Sequence, residues 1–443
     1  MFENVLGQNA LRQLASDLGG DRLAPSMLFF GPDASGKGSA ALELGRALSC
    51  EGPDAPWNCS CPACARHRRL LHPDLLLLGP RNFSAEIAAS AAAFLRDSSS
   101  QAARFLFVRS VRKLLARFSP ALWENDPKIT KLNPLIEALN EGLEDLDAAG
   151  AGGEQKVAEG ILADSLKLEA EGVGELIPVD QIRRAAWWTR LAPLGKRKLL
   201  AIENADRMRD EARNSLLKIL EEPPETATIV LTTAHHEALL PTLLSRLRPY
   251  RFAARDSNVE AEVIRKIFRD PRPPAFSGGG ALRRYLDSFL PDSGETLHPL
   301  AALFAASAAM DAAAALRRSG VVPGEALLRL GSRCAAIAEE AGLGRPLEDR
   351  RSLTAKVLEG ADKFESRGRF SRFLRSLLVL AGESLGASPE AVAYRDMWSA
   401  AVREAETAAG TYNLSPSMVL ERLISSLHRS MILHGAPYPA EQA

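Results

Sequence analysis

The sequence predicts an α/β fold: a parallel sheet with flanking helices around a phosphate loop, then a small helical region and an all-helical C-terminal portion. Three observations predict it. An apolar strand end, Met27 to Phe30, runs into the loop GPDASGKGS and then into a helical pattern from Ala40 to Leu48. Short continuous apolar runs at Leu75 to Leu78, Leu199 to Ile202 and Thr228 to Thr233 recur between helical stretches, as the doubly buried strands of a parallel sheet do. From Ala281 to Leu433 the pattern is helical almost throughout, with stops at Gly320, Gly342, Gly386 and Gly410 and starts at Ser388-Pro389-Glu390 and Ser415-Pro416.

Taken in order, Phe2 to Leu23 forms a lead-in and an amphipathic helix with Leu11, Leu14 and Leu18 on one face. The loop follows. Gly31, Gly36 and Lys37 fit G-x-x-x-x-G-K, in which glycines let backbone N–H groups turn onto phosphate oxygens and the lysine adds a point charge. ATP with magnesium is the cofactor such a loop takes. The next position calls for the Ser or Thr whose hydroxyl holds that magnesium, and it is Gly38; Ser39 brings a hydroxyl one residue late. The loop is therefore equipped to hold a nucleotide and poorly equipped to activate one.

The chain has 443 residues, enough for two or three domains, and its 55 basic and 55 acidic residues balance, so contact with nucleic acid requires a local patch. No apolar run reaches membrane length, and MFENVLGQ has neither a basic start nor a hydrophobic signal core, which predicts a cytoplasmic protein. In that compartment Cys50, Cys59, Cys61 and Cys64, all within fifteen residues, argue for metal over disulfides. Four thiolates suit a closed tetrahedral structural Zn2+ site, with the C-x-C-x-x-C half turning at Pro62 and Cys50 closing it from the preceding helix. Cys334, in an alanine-rich helix, reads as core.

From about Arg81 to Glu175 the pattern changes to a mostly helical insertion with a Gly/Ala break at Ala148 to Gly153. Its first part interleaves Arg104, Arg109, Arg112, Lys113 and Arg117 with Phe105, Leu106, Phe107, Leu114, Leu115 and Phe118. That pattern suits contact with nucleic acid or an acidic partner, but a solvated face, or a charge match to the acidic part of the same insertion, is the stronger reading. The globular pattern resumes at IPVDQIRRAAWW, and the strand Leu199 to Ile202 ends in Glu203-Asn204, where nucleoside triphosphatases place a magnesium-binding acid and a base for water. Glu203 keeps a carboxylate on a longer arm; Asn204 is no base. After a helix at Asp210 to Glu222, Thr232 or Thr233 sits at a strand tip suited to sensing a terminal phosphate, though β-propensity explains both equally well. His235 and His236 read as surface residues, and a helix from Pro241 ends at Ser245-Arg246.

The order of these motifs resembles the clamp-loader branch of the AAA+ family, the bacterial DNA polymerase III delta-prime and gamma/tau subunits. The resemblance is carried by GPDASGKGS, the cysteine module directly after the loop helix, His72-Pro73-Asp74, VDQIR from Val179, NSLLKILEEPP from Asn214 and LLPTLLSR ending at Arg246. It implies an AAA+ domain over residues 1–255 with the zinc module at 50–64 and the insertion at 81–175, a helical lid and linker over 256–284, and a helical collar for oligomerisation over 285–443. It further implies that Arg246 is an arginine finger reaching a neighbouring subunit's nucleotide, and that Arg283, in Gly280-Ala281-Leu282-Arg283, is a lid sensor. The second and third cysteines stand one residue closer than the family pattern, and Leu247 replaces a cysteine. With Gly38 and Asn204 both departing from hydrolytic chemistry, the resemblance implies a delta-prime-like, ATPase-deficient component of the DNA polymerase III holoenzyme. Its implied partners are gamma/tau and delta subunits in a pentameric ring, the sliding clamp and primer-template DNA, with no membrane. The alternative is a gamma/tau-like ATPase in which Ser39 and Glu203 replace the usual magnesium ligands.

Overall fold

The computed structural model describes residues 1–124, 126–148, 153–174, 176–271, 280–290, 297–347, 349–361, 367–385, 389–410 and 414–434. The Gly/Ala break at 149–152, most of the Pro/Gly-rich linker at 272–279, the stop at Gly386 and the start at Ser388 lie outside them. The chain packs as two compact units, Met1–Leu290 and Pro291–Ala443.

The first unit is built on five parallel strands, β1 (Ser26–Phe30), β2 (Leu75–Leu78), β3 (Lys198–Ile202), β4 (Ala227–Thr233) and β5 (Arg248–Arg251), in the order β2-β3-β4-β1-β5. Because side chains alternate along a strand, the apolar runs feed both faces. Met27, Phe29, Leu77, Leu199, Ala201 and Val230 pack under helices Ala10–Gly19 and Lys37–Ser49. Leu28, Leu76, Leu78, Leu200, Ile202, Ile229 and Leu231 pack on the other face. That second face is covered by helices Val179–Arg190 and Asp210–Glu221 together with the helical segment that the sequence marks as an insertion. Its helices Ser84–Arg96 and Gln101–Leu115 place Ile87, Ala91, Phe94, Phe107, Val111 and Leu114 in the same core, so part of this segment is a structural layer of the domain.

The motifs have local physical reasons. Asp74 accepts hydrogen bonds from the backbone N–H groups of Leu194 (2.9 Å) and Gly195 (2.6 Å), fixing the turn that enters β3. The run NSLLKILEEPP places Leu216, Ile219 and Leu220 in the core, and the helix stops before Pro223-Pro224. After β5, Val263, Ile264, Phe268, Leu282 and Tyr285 of helices Ser257–Lys266 and Ala281–Asp287 and their flanks make a small core against Ala89.

The second unit is all helical among its described residues. Helix Leu297–Arg318 packs against Glu325–Glu340, Arg350–Gly360, Arg367–Ser384 and Pro416–His434, with Phe304, Phe373, Tyr394 and Trp398 filling the middle and Cys334 buried as expected. Gly320 and Gly342 end their helices at positive φ, each followed by a residue whose N–H reaches back to an orphan carbonyl, Val321 to Leu316 (2.9 Å) and Leu343 to Ala338 (3.0 Å). One sequence expectation is corrected here. Helix Leu297–Arg318 is apolar and long enough to span a membrane by length and composition, but its alanine-rich surface is buried on nearly all sides as the core helix of this unit.

Candidate functional site

The phosphate loop lies at the C-terminal end of β1, where open parallel sheets bind ligands. Gly31 leaves the strand at φ 144°, and a Cβ there would overlap the carbonyl of Phe252 beyond β5. Gly36, at φ 94°, starts the following helix. Lys37 donates to the carbonyls of Gly31 (2.5 Å) and Pro32 (2.6 Å). Burial, partly offset by Asp33, Glu203 and Asp206, pulls its ammonium down to about 8. Arg255 braces the loop from the end of the sheet, donating to the carbonyls of Ala34 and Leu6. Arg283, in helix Ala281–Asp287, comes to within 3.9 Å of Asp33 in the loop and also bonds Asp287. Ser39 is half-buried in the first turn of the helix.

The metal half of the site is organised differently from that of a triphosphatase. Register pairs Leu78 with Ile202, so the residues following β2 and β3 emerge side by side. Glu203 is thereby brought to Arg81, whose Nη1 lies 3.2 Å from its Oε1, while Arg117 donates to its Oε2. Arg81 also bonds Glu86, which in turn holds Lys113. Burial alone would raise both carboxyls. The flanking cations outweigh it, holding Glu203 below the usual carboxylate range and drawing Glu86 down to about 2. A Cβ on Gly38 would overlap Oε1 of Glu203, so glycine is the residue this arrangement accepts. Asn204, in the left-handed region at φ 50°, donates to the carbonyl of Pro80 (2.6 Å). A magnesium ion does not fit these residues: the hydroxyl ligand is missing and both oxygens of the carboxylate are engaged by guanidinium groups.

The basic segment is correspondingly corrected. Arg109 donates to the carbonyls of His67 and Arg68, Arg112 to that of Arg69, and Arg117 points into the site; Arg104, bonded to Glu154, and Lys113, bonded to Glu86, match charge within the insertion. The segment faces inward. At β4 the hydroxyl partner is Thr233, which donates to Asp206 (2.5 Å); Thr232 is buried beside it. Sequence reasoning did not single out Arg81, Glu86, Asp206 or Arg255. The available signal was the parallel β2–β3 pairing, which puts Arg81 next to Glu203, together with the rule that a buried carboxylate needs a cationic partner.

The four cysteines converge. Their sulfurs all lie within 4.8 Å of one another, with Cys50 and Cys59 3.6 Å apart, close to the roughly 3.8 Å edge of a tetrahedral metal–thiolate site. Cys61 caps helix Pro62–Arg68, and Cys64 receives a hydrogen bond from the buried Arg46 (3.0 Å), which Glu43 holds at 2.7 Å. Arg46 and Glu43 belong to the helix that follows the phosphate loop, so the module is docked on that helix by a buried ion pair. Burial opposes ionisation of Cys61, but N–H groups of Glu51 and Cys64 outweigh it and bring the thiol to about 6, toward the thiolate a metal requires.

Arg246 follows the short helix Pro241–Leu244 at the surface, where its guanidinium bonds Glu221 (2.8 Å) and the carbonyl of Thr242 (2.8 Å). Leu247, beside it, is buried in the core.

A family model described as DNA polymerase III, delta subunit, matches residues 7–141 and 145–256. DNA polymerase III subunit delta' of Pseudomonas aeruginosa is 40% identical over 104 residues, 22% of this chain and 32% of that protein. DNA polymerase III subunit gamma/tau of Mycobacterium tuberculosis is 32% identical over 90 residues, 20% of this chain and 15% of the relative. The matches thus span about a third or less of the length of these curated relatives. Among solved structures, a DNA polymerase III gamma subunit-related protein from Thermotoga maritima is 20% identical and covers 58% of this chain and 81% of its own, with a TM-score of 0.31.

Proposed function

The chain belongs to the DNA polymerase III delta-subunit family, whose model spans more than half of it, and from that premise we propose that it acts as a delta-prime-like clamp-loader subunit without ATPase activity of its own. The carrying observation is the pairing of an intact phosphate cradle with a disabled metal position: Gly31, Gly36 and Lys37 are in place, while Glu203 is held by Arg81 and Arg117, Gly38 has no hydroxyl and Asn204 is tied to Pro80. Helices Ser257–Lys266 and Ala281–Asp287 act as the lid, with Arg283 at the loop, and residues 285–443 act as the collar through which the subunit joins gamma/tau and delta in a pentameric ring. That ring opens the sliding clamp and places it on primer-template DNA in the cytoplasm. Arg246 is the group offered to the neighbour; its surface position, held only by exposed partners, Glu221, Thr242 and Ser245, supports this role. An arginine supplied in trans stabilises charge on the transferred phosphoryl group. The four cysteines hold a structural zinc ion that ties residues 50–68 to the loop helix.

The alternative, a gamma/tau-like ATPase, would need Glu203 and Ser39 as magnesium ligands, and the engagement of Glu203 weighs against it. The test is steady-state ATP hydrolysis by the isolated chain, then by the ring reconstituted with Arg246→Ala. The isolated chain is expected to be inactive and the substituted ring to be slowed by about 10³-fold at the site that Arg246 completes. Turnover by the chain alone, or an unchanged ring rate, would refute the respective halves of the proposal.

A further inference from the structure

The ion cluster beside the loop has an unusual origin. Of its five charged residues, Arg81 and Glu203 come from the ends of β2 and β3, but Glu86, Lys113 and Arg117 come from the helical segment inserted between those strands. Arg117 is held in place by several contacts: its carbonyl accepts from Trp123 Nε1 (2.6 Å), and its guanidinium lies over Phe83 at 5.3 Å. Its Nε and Nη1 are buried and, among the described residues, make no hydrogen bond. Such a guanidinium is costly to bury unless the carboxylate it faces matters. The cluster borders a small cavity together with Gly38, directly behind the first turn of the loop helix. Arg81, Lys113 and Arg117 face Glu203 and Glu86 there, at the place where this class of loop draws in a divalent ion.

We infer that the inserted helical segment provides, through Lys113 and Arg117, a protein-borne replacement for the divalent cation of the phosphate loop, so that Glu203 binds neither magnesium nor manganese. The inference rests on reading residues 31–38 as a phosphate cradle. It also gives a reason for glycine at position 38: a hydroxyl-bearing residue would collide with the carboxylate that the replacement holds in place.

The test uses the full-length chain, zinc-loaded, with Mn2+ alone as the probe and the electron paramagnetic resonance signal of free Mn2+ as the readout. Wild type and Glu203→Gln are expected to give superimposable titrations with no loss of free-ion signal attributable to Glu203. Stoichiometric uptake at sub-millimolar Mn2+ by wild type that disappears in Glu203→Gln would overturn the inference, and this arm needs no variant of the cluster's cations. In the second arm Arg117→Met, checked for folding by circular dichroism, is expected to gain Mn2+ uptake that a further Glu203→Gln change removes, while Arg117→Lys stays silent. A folded Arg117→Met that gains none would show a purely structural ion pair and overturn the replacement role. Neither arm involves Arg246, so failure here is separable from failure of the arginine-donor proposal.

Discussion

Replacing Glu86 by Gln keeps the shape of the side chain and removes the charge that Arg81 and Lys113 share. The structure sets the size of the effect. The carboxylate is only 13% exposed, and although burial opposes its ionisation, the two cations bring it from an ordinary 4.5 to about 2. At about 1.4 kcal/mol per tenfold change in proton affinity, that is about 3 kcal/mol of stability at neutral pH, in the range expected for breaking a buried ion pair. Because the folded-state value is depressed, the contribution is fully present above the unfolded value of about 4.5 and is lost as pH falls from there toward about 2. The difference in unfolding free energy between wild type and Glu86→Gln, from urea titrations between about pH 7 and about pH 3, should shrink steadily below about pH 4.5. A gap independent of pH over that range, or one below about 1 kcal/mol at neutral pH, would refute the reasoning.

Gly38→Thr, which restores the motif on paper, should destabilise the chain by about 1–3 kcal/mol through its clash with Glu203 and bring no phosphate release; a denaturant midpoint and a hydrolysis assay check both. Zinc analysis of protein purified under reducing conditions should find a stoichiometric ion, and Cys64→Ser should lower its retention while raising hydrogen exchange across residues 50–68. Arg246→Ala should change the stability of the isolated chain by about 1 kcal/mol or less, because its pair with Glu221 is solvent-exposed, which thermal denaturation would establish.

Much of the first unit was legible because parallel strands buried on both faces leave continuous apolar runs, and β2, β3 and β4 coincide with those runs to within a residue or two. The cysteine cluster was legible for a related reason: its four thiols come from a short, turning segment, so their spacing is local. The basic segment was not. Its alternation of arginines with phenylalanines matches an exposed amphipathic face as well as it matches a buried one, and the difference lies in partners up to 86 residues away in the chain, such as Glu203 for Arg117. The apolar helix Leu297–Arg318 does reach membrane length, against the expectation that no run would, and its burial rather than its length or composition marks it as a core helix.

By itself the sequence determined the phosphate loop, the strands that carry it, the four-cysteine cluster and the two departures, Gly38 and Asn204, from the motifs of hydrolytic relatives of this fold. Each is a local pattern whose chemistry follows from residue type and spacing. Only the tertiary structure decided what became of the metal position. Whether Glu203 is free to bind an ion depends on which charges the fold brings beside it, and those arrive from β2 and from a helix inserted between strands. Electrostatic partners are chosen by distance in space, over a few ångströms, and the order of residues along the chain records that distance only where the chain is regular.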